Sequence, residues 1–126
     1  KFVLTSDEAQ TKAVAGYFDF ILDTVSAQHD YNFYLNMLTT NGTMVCVGVP
    51  PPADPVVPFN LIIQRRSIAG SLIGGLPETQ EMLDYCAEHN IVSDIEIIAM
   101  KDINDAYERM LKGDVRYRFV IDMATL

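Results

Sequence analysis

Two apolar runs constrain this chain most: Met44 to Val49 and Ser67 to Ile73. Neither alternates polar with apolar residues, and each stops at a strand breaker. The first ends in Gly48-Val49 followed by Pro50, Pro51 and Pro52, and the second ends in Gly74-Gly75. Short uninterrupted apolar runs read as strands buried on both faces, the mark of a parallel sheet. Such a sheet needs helices on both sides. Its ligands sit beyond the carboxyl ends of its strands. Val47–Pro50 and Ser71–Gly75 are therefore the first places to look for a site.

The 126 residues, 49% hydrophobic and 21% charged, suit a single globular core. Nine basic against seventeen acidic residues give a net charge of −8, which repels phosphate backbones and anionic membrane surfaces. The basic clusters, Arg65-Arg66 and Arg116 with Arg118, are too small for a nucleic-acid footprint. No nucleic-acid partner is expected. No apolar run approaches the roughly 18 residues of a membrane span, and no cationic leader precedes an apolar segment. Cys46 in an apolar strand and Cys86 on the apolar side of a helix read as small core residues, fitting a reducing cytoplasm. His29 and His89 are isolated and read as surface or capping residues. With no CxxC, HxxxH or HExxH pattern, no metal site is expected on this chain.

In chain order, Phe2–Leu4 reads as a short strand, and Thr5 or Ser6 as the cap of a helix that Gly16 can end. Phe18–Leu22 is the next strand. Between Gln28 and Thr40, Tyr31, Tyr34, Leu35 and Leu38 fall on one helical face, with Asn41-Gly42 as its end. Strand Thr43–Val49 follows. Strand, helix, strand in this order implies a parallel pair with a right-handed crossover. Pro50–Pro58 contains five prolines and reads as an extended loop. A short helix (59–66), strand Ser67–Ile73 and a helix from Pro77 to Asn90 come next. The tail predicts strand Ile95–Ala99, a helix capped by Asp102 with Asp105 in a capping-box role, and strand Tyr117–Asp122.

Several stretches carry a resemblance to a known family: Gly48-Val49-Pro50-Pro51 after an apolar strand, then SIAGSLIGG (67–75), ETQEMLDYCAEHNI (78–91) and INDAYERMLKGDVRYRFVID (103–122). Together they resemble the medium-chain, zinc-type alcohol dehydrogenases, most of all the cinnamyl alcohol dehydrogenase-like branch, and the likeness runs from about Phe2 to Asp122. It implies an α/β fold: a partial Rossmann parallel sheet with flanking helices, then a strand-helix-strand tail. It also implies domain roles. Residues 1–92 would be the second part of a dinucleotide-binding domain, and 93–126 the tail returning to a catalytic domain outside this chain. Family members are roughly three times longer. Their zinc ligands and Gly-rich phosphate turn precede the part this chain resembles, and no GxGxxG occurs here. The chain thus reads as a fragment that is inactive alone.

By the same resemblance, backbone groups of Val47, Ser71 and Ile73 would hold the nicotinamide carboxamide, with Val49 beside the ring. The alternative reading makes Val47 and Ile73 plain core residues. Thr24 and Val25 would line the nicotinamide ribose; alternatively, Thr24 or Ser26 caps the following helix. Arg118 would reach the cofactor pyrophosphate, or be an exposed arginine paired with Asp114 or Asp122. The implied cofactor is NADP, or NAD, with zinc in the full-length enzyme. The implied substrate is a primary alcohol or aldehyde, and the implied assembly a homodimer through strand 67–73. Two alternatives remain beside this: a zinc-free quinone or enone reductase of the same superfamily, and a non-catalytic dimerisation module.

Overall fold

The structure, a computed structural model, describes residues 2–51 and 55–126. Its contacts divide the chain into two compact units, Lys1–Ile73 and Gly74–Leu126.

The first unit holds α1 (Glu8–Lys12), β1 (Phe18–Asp23), α2 (Tyr31–Leu35), β2 (Leu38–Cys46), α3 (Pro58–Ile62) and β3 (Ser67–Gly70). The three strands are parallel, in the order β1-β2-β3. Phe2–Leu4 forms no strand. The Leu4 amide is donated to Gln10 Oε1 and its carbonyl accepts from Asp7, so this segment folds onto α1. The cap of α1 is Asp7 rather than Thr5 or Ser6, its Oδ1 accepting from Ala9 and Gln10 at 2.9 and 3.1 Å. Several bonded amides hold that carboxylate below its ordinary pKa, the Gln10 N–H foremost.

The helix expected between Gln28 and Thr40 is only α2. Amides just before and at the start of β1 capture the carbonyls that a longer helix would use. Gly16 N–H donates to Asn36, and Tyr17 and Phe18 donate to Met37 at 2.8 and 3.0 Å. The chain therefore leaves the helix early, and β2 begins at Leu38, opposite Phe18. The apolar stripe nonetheless marked the core. Leu35, Leu38 and Met44 are fully buried, with Tyr31, Tyr34, Phe18, Ile21 and Cys46 packed around them. Each such side chain contributes about 1.5–3 kcal/mol by burial. Asn41 does adopt left-handed backbone, but inside a β2 irregularity where the register jumps from Leu38 to Thr43. Burial on both faces is not complete in any strand: on β2, Gly42 and Met44 are buried on one face, whereas Thr43 and Val45 on the other are half-buried. On β1, Ile21 faces the core with α2, whereas Phe20 and Leu22 point to the other face and are exposed.

Pro58 starts α3, where its fixed φ suits the first turn. Of the expected proline loop, residues 52–54 lie outside the described residues; Pro50, Pro51 and residues 55–57 are neither helix nor strand. β3 stops at Gly70, three residues short of the expected Ile73.

The second unit holds α4 (Leu76–Glu88), β4 (Glu96–Ala99), α5 (Ile103–Leu111) and β5 (Phe119–Asp122). β4 and β5 pair in parallel, Glu96 opposite Phe119, which gives the strand-helix-strand tail. Gly75 is the N-cap of α4, and its N–H is held by Glu78 Oε2 at 2.7 Å. His89 acts as a cap as read, its Nδ1 lying 2.9 Å from the Tyr85 carbonyl. Asp102 does not cap α5 with its side chain. A 3₁₀ turn over Met100–Asp102 precedes it and holds Asp102 at φ −92°, ψ 7°, away from the extended backbone of a cap, and the capping box is absent. Gly113, at φ +71°, ends α5 in the left-handed conformation that a Cβ disfavours. β5 begins at Phe119 because the Tyr117 N–H goes to the Asp94 carbonyl, outside the ladder with β4. Among the described residues, no helix is long and apolar enough to cross a membrane.

Candidate functional site

The carboxyl ends of β1, β2 and β3 meet at one end of the sheet. The Asp23 carbonyl, last in β1, accepts from both Val47 and Gly48, at 2.9 and 3.3 Å. This pull turns the chain after β2 toward β1. The final rung between β2 and β3 is then Ser71 N–H to Cys46 O at 3.1 Å. Beyond it β3 has no partner, which is why the strand ends before Leu72. Gly48 is required here. A Cβ on it would lie 2.4 Å from the Val25 carbonyl oxygen and 3.0 Å from the Thr24 carbonyl carbon. The backbone following β1 and the backbone following β2 are therefore in direct contact.

Six of the seven residues named from sequence follow the carboxyl ends of these adjacent strands: Thr24 and Val25 after β1, Val47 and Val49 after β2, and Ser71 and Ile73 after β3. The core reading of Val47 and Ile73 fails, since both side chains are exposed, Ile73 at 91%. Among the described residues, the Val47 carbonyl and the Ile73 amide take no hydrogen bond. One free acceptor just past β2 and one free donor past β3 suit a planar carboxamide, which carries both functions. Thr24 and Ser26 do not cap the following helix, because Asp30 Oδ1 does so through Asn32 N–H at 2.8 Å.

Arg118 belongs to the other unit. It lines an apolar hollow of about 270 Å³ beside α5, with Tyr107, Met110 and Phe119. The alternative reading, a pairing with Asp114 or Asp122, does not hold: Arg109 takes Asp114 at 2.8 Å, as well as Glu96 at 2.8 Å. Arg118 makes no ion pair among the described residues.

The reading of His29 as a surface residue is also corrected. Its Nε2 lies 2.9 Å from Asp23 Oδ2, and the two side chains are only 11% and 7% exposed. Nothing periodic in the sequence marks a pair six residues apart across a loop. The available signal was an aspartate ending an apolar strand beside the expected site. Cys46 lies close by, its thiol pushed up by burial and then by the Asp23 charge, as befits an inert core thiol. No cluster of three or more His, Cys, Asp or Glu side chains able to hold a metal exists among the described residues.

Comparison with known proteins bears on this arrangement. Residues 3–88 match the family model described as zinc-binding dehydrogenase. The aldehyde reductase YahK of Escherichia coli K12 is 62% identical over 111 residues, 86% of this chain and 32% of that protein. A cinnamyl alcohol dehydrogenase structure from Sorghum bicolor superposes with a TM-score of 0.90 at 43% identity, covering 98% of this chain and 35% of that one. The Helicobacter pylori cinnamyl alcohol dehydrogenase complexed with NADP(H) superposes at 0.77 with 41% identity, covering 90% and 34%. The chain thus spans about a third of the length of the relatives it matches. Its parallel sheet with flanking helices is the Rossmann-like arrangement of alcohol dehydrogenases, and it belongs to the zinc-binding dehydrogenase family, as its cinnamyl alcohol dehydrogenase-like motifs had implied.

Proposed function

We propose that this chain is the carboxyl-terminal third of a zinc-dependent, NADP-linked alcohol dehydrogenase and aldehyde reductase, to which it contributes the nicotinamide end of the cofactor site and a dimer interface. Primary alcohols and their aldehydes are the substrates, in keeping with the relatives named as an aldehyde reductase and cinnamyl alcohol dehydrogenases. The relative complexed with NADP(H) supports NADP over NAD. Residues 1–92 complete the dinucleotide-binding domain and residues 93–126 return to the catalytic domain. The observation that carries the reading is the strand-end cluster around Gly48, with its unbonded Val47 carbonyl and Ile73 amide. The cofactor supplies hydride chemistry at its nicotinamide ring. This chain supplies position. Val47, Ser71 and Ile73 present backbone groups to the carboxamide, Val49 shields the ring, and Thr24 and Val25 line the ribose. Zinc is held by residues outside the chain. Cys46 and Cys86 are both unpaired, which suits a cytoplasmic enzyme.

The test uses the full-length dehydrogenase. Ile73→Pro removes one amide donor at an exposed position without emptying a core site, and should raise the NADPH dissociation constant roughly tenfold, the worth of one lost hydrogen bond. An unchanged constant, or no aldehyde reduction with either nicotinamide cofactor, overturns the reading.

A further inference from the structure

One residue at the end of β1 ties the candidate site together. The Asp23 carbonyl holds the amides of Val47 and Gly48. Its carboxylate holds the loop on the other side: Oδ1 accepts from Val25 N–H at 3.0 Å, and Oδ2 faces His29 Nε2 at 2.9 Å. The second His29 nitrogen, Nδ1, lies 2.8 Å from the Ala27 carbonyl oxygen. A carbonyl can only accept, so Nδ1 carries a proton. Nε2 then meets a carboxylate favourably only when it too is protonated. The geometry is that of an imidazolium between two acceptors.

The surroundings agree. Tyr31 and Tyr34 of α2 set their rings edge-on to the imidazole, at 4.9 and 5.6 Å. The titratable and charged groups facing His29 are Asp23 from β1, Asp30 at the start of α2, and those two tyrosines. Cys46 of β2 stands beyond them, near Asp23 and Tyr31. The Ala27 carbonyl first, then the Asp23 carboxylate and Asp30, raise the His29 pKa above its ordinary 6.5 despite the opposing cost of burial.

We propose that Asp23 and His29 are a positioning pair for the nicotinamide end of the cofactor site, their ion pair fixing the Thr24–Val25 backbone against Gly48. This rests on the function proposed above. The contact it secures is tight, since the Val25 carbonyl oxygen stands where a Cβ on Gly48 would meet it at 2.4 Å. The sign follows from the protonation states. While His29 is charged the loop is held. As pH rises through the raised pKa, Nε2 becomes a lone pair facing a carboxylate, the clamp opens, and cofactor affinity falls. Asp23→Asn separates charge from shape. An asparagine amide donates to neutral Nε2, its oxygen still accepts the Val25 N–H, and Nδ1–H stays on Ala27, so each bond survives without the charge.

The experiment is NADPH binding to the full-length dehydrogenase, followed by nucleotide fluorescence from about pH 6 to about pH 9, where histidine titrates. The wild type should bind roughly tenfold more weakly at the alkaline end. In Asp23→Asn that ratio should fall to about one. Asp23→Ala, which loses the bonds as well, should weaken binding at about pH 6 by roughly tenfold. A wild type without a pH step, or an Asp23→Asn variant whose step equals that of the wild type, overturns the pair and leaves the functional reading standing. A wild type that binds no nicotinamide cofactor at any pH overturns the functional reading, and the positioning role with it. Should Asp23→Ala fail to fold, the Asp23→Asn ratio decides.

Discussion

Arg66 and Arg118 look alike in the sequence and have opposite fates. Arg66 is 8% exposed and pairs with no carboxylate among the described residues. Instead its guanidinium gathers oxygens: Nε and Nη2 donate to the Leu38 carbonyl at 3.0 and 2.7 Å, Nη1 to the Asn60 carbonyl and Nη2 to Gln64 Oε1. It joins the end of α2, the start of β2 and the end of α3. Arg66→Ala leaves those acceptors without donors and should cost about 1–3 kcal/mol, read as a lower denaturation midpoint with unchanged slope. Arg66→Lys should recover only part, because an ammonium cannot span the same fork of acceptors. Arg118 is exposed and makes no ion pair among the described residues, as a residue awaiting an anionic ligand would be. In the full-length dehydrogenase, Arg118→Ala should raise the NADPH dissociation constant several-fold, the scale of a charge-assisted hydrogen bond to phosphate. An unchanged constant removes Arg118 from the site. The exposure of Arg118 was one of its sequence readings; the burial of Arg66 was not legible. The burial of Arg66 depends on the Leu38 carbonyl, 28 positions away. The same holds for His29, whose partner Asp23 is reached across a loop with no period.

At the scale of elements, the parallel strands and most helices were legible, because buried strands and amphipathic stripes follow from side-chain spacing. Boundaries were not, because they depend on partners. β3 ends where Val47 and Gly48 turn to Asp23, α2 ends where β1 takes its carbonyls, and α5 loses its expected cap to a preceding turn. The tail shows how its elements are locked. Arg109 of α5 binds Glu96 of β4 and Asp114 past the helix end, and its guanidinium stands 4.9 Å over the Phe119 ring of β5. The side-chain hydrogen bond from Arg109 holds both carboxyls below their ordinary values of 4.5 for Glu96 and 3.8 for Asp114. Depressed pKa values contribute stability that is present above those ordinary values and lost as pH falls through the lower folded ones. The thermal midpoint of this unit should therefore fall with pH below 4.5. Arg109→Met keeps the aliphatic stem over Phe119 and removes the charge. It should start less stable at neutral pH and show a shallower acid slope. Equal slopes in the two proteins would mean that these ion pairs do not set the acid limit.

For the molecule as a whole, the unfinished surface is the β3 edge. β3 pairs with β2 on one side and, among the described residues, has no strand on the other. Its residues Ser67, Ala69 and Gly70 are exposed, and no charge or proline guards them. A flat edge of this kind is a template for another strand. In the proposed enzyme, two copies join here about a two-fold axis, the commonest oligomer symmetry. Alternation along the strand says which groups are available. Ser71 donates toward β2 through its amide, so Ala69 faces β2 as well, and the Ile68 and Gly70 amides point outward. Gly70 lies outside the left-handed region, and a Cβ there meets only the Cys46 carbonyl oxygen, at 3.7 Å. Proline at 70 therefore removes an outward donor while sparing the ladder with β2. Ala69→Lys places a charge on this exposed edge strand instead, as native edges often carry to block pairing. Light scattering of this chain should give at least twice its 14.1 kDa mass. Gly70→Pro and Ala69→Lys should each shift the mass toward the monomer at tens-of-micromolar concentration while leaving the circular dichroism unchanged. A wild-type monomer, or an oligomer indifferent to both substitutions, would place the interface elsewhere.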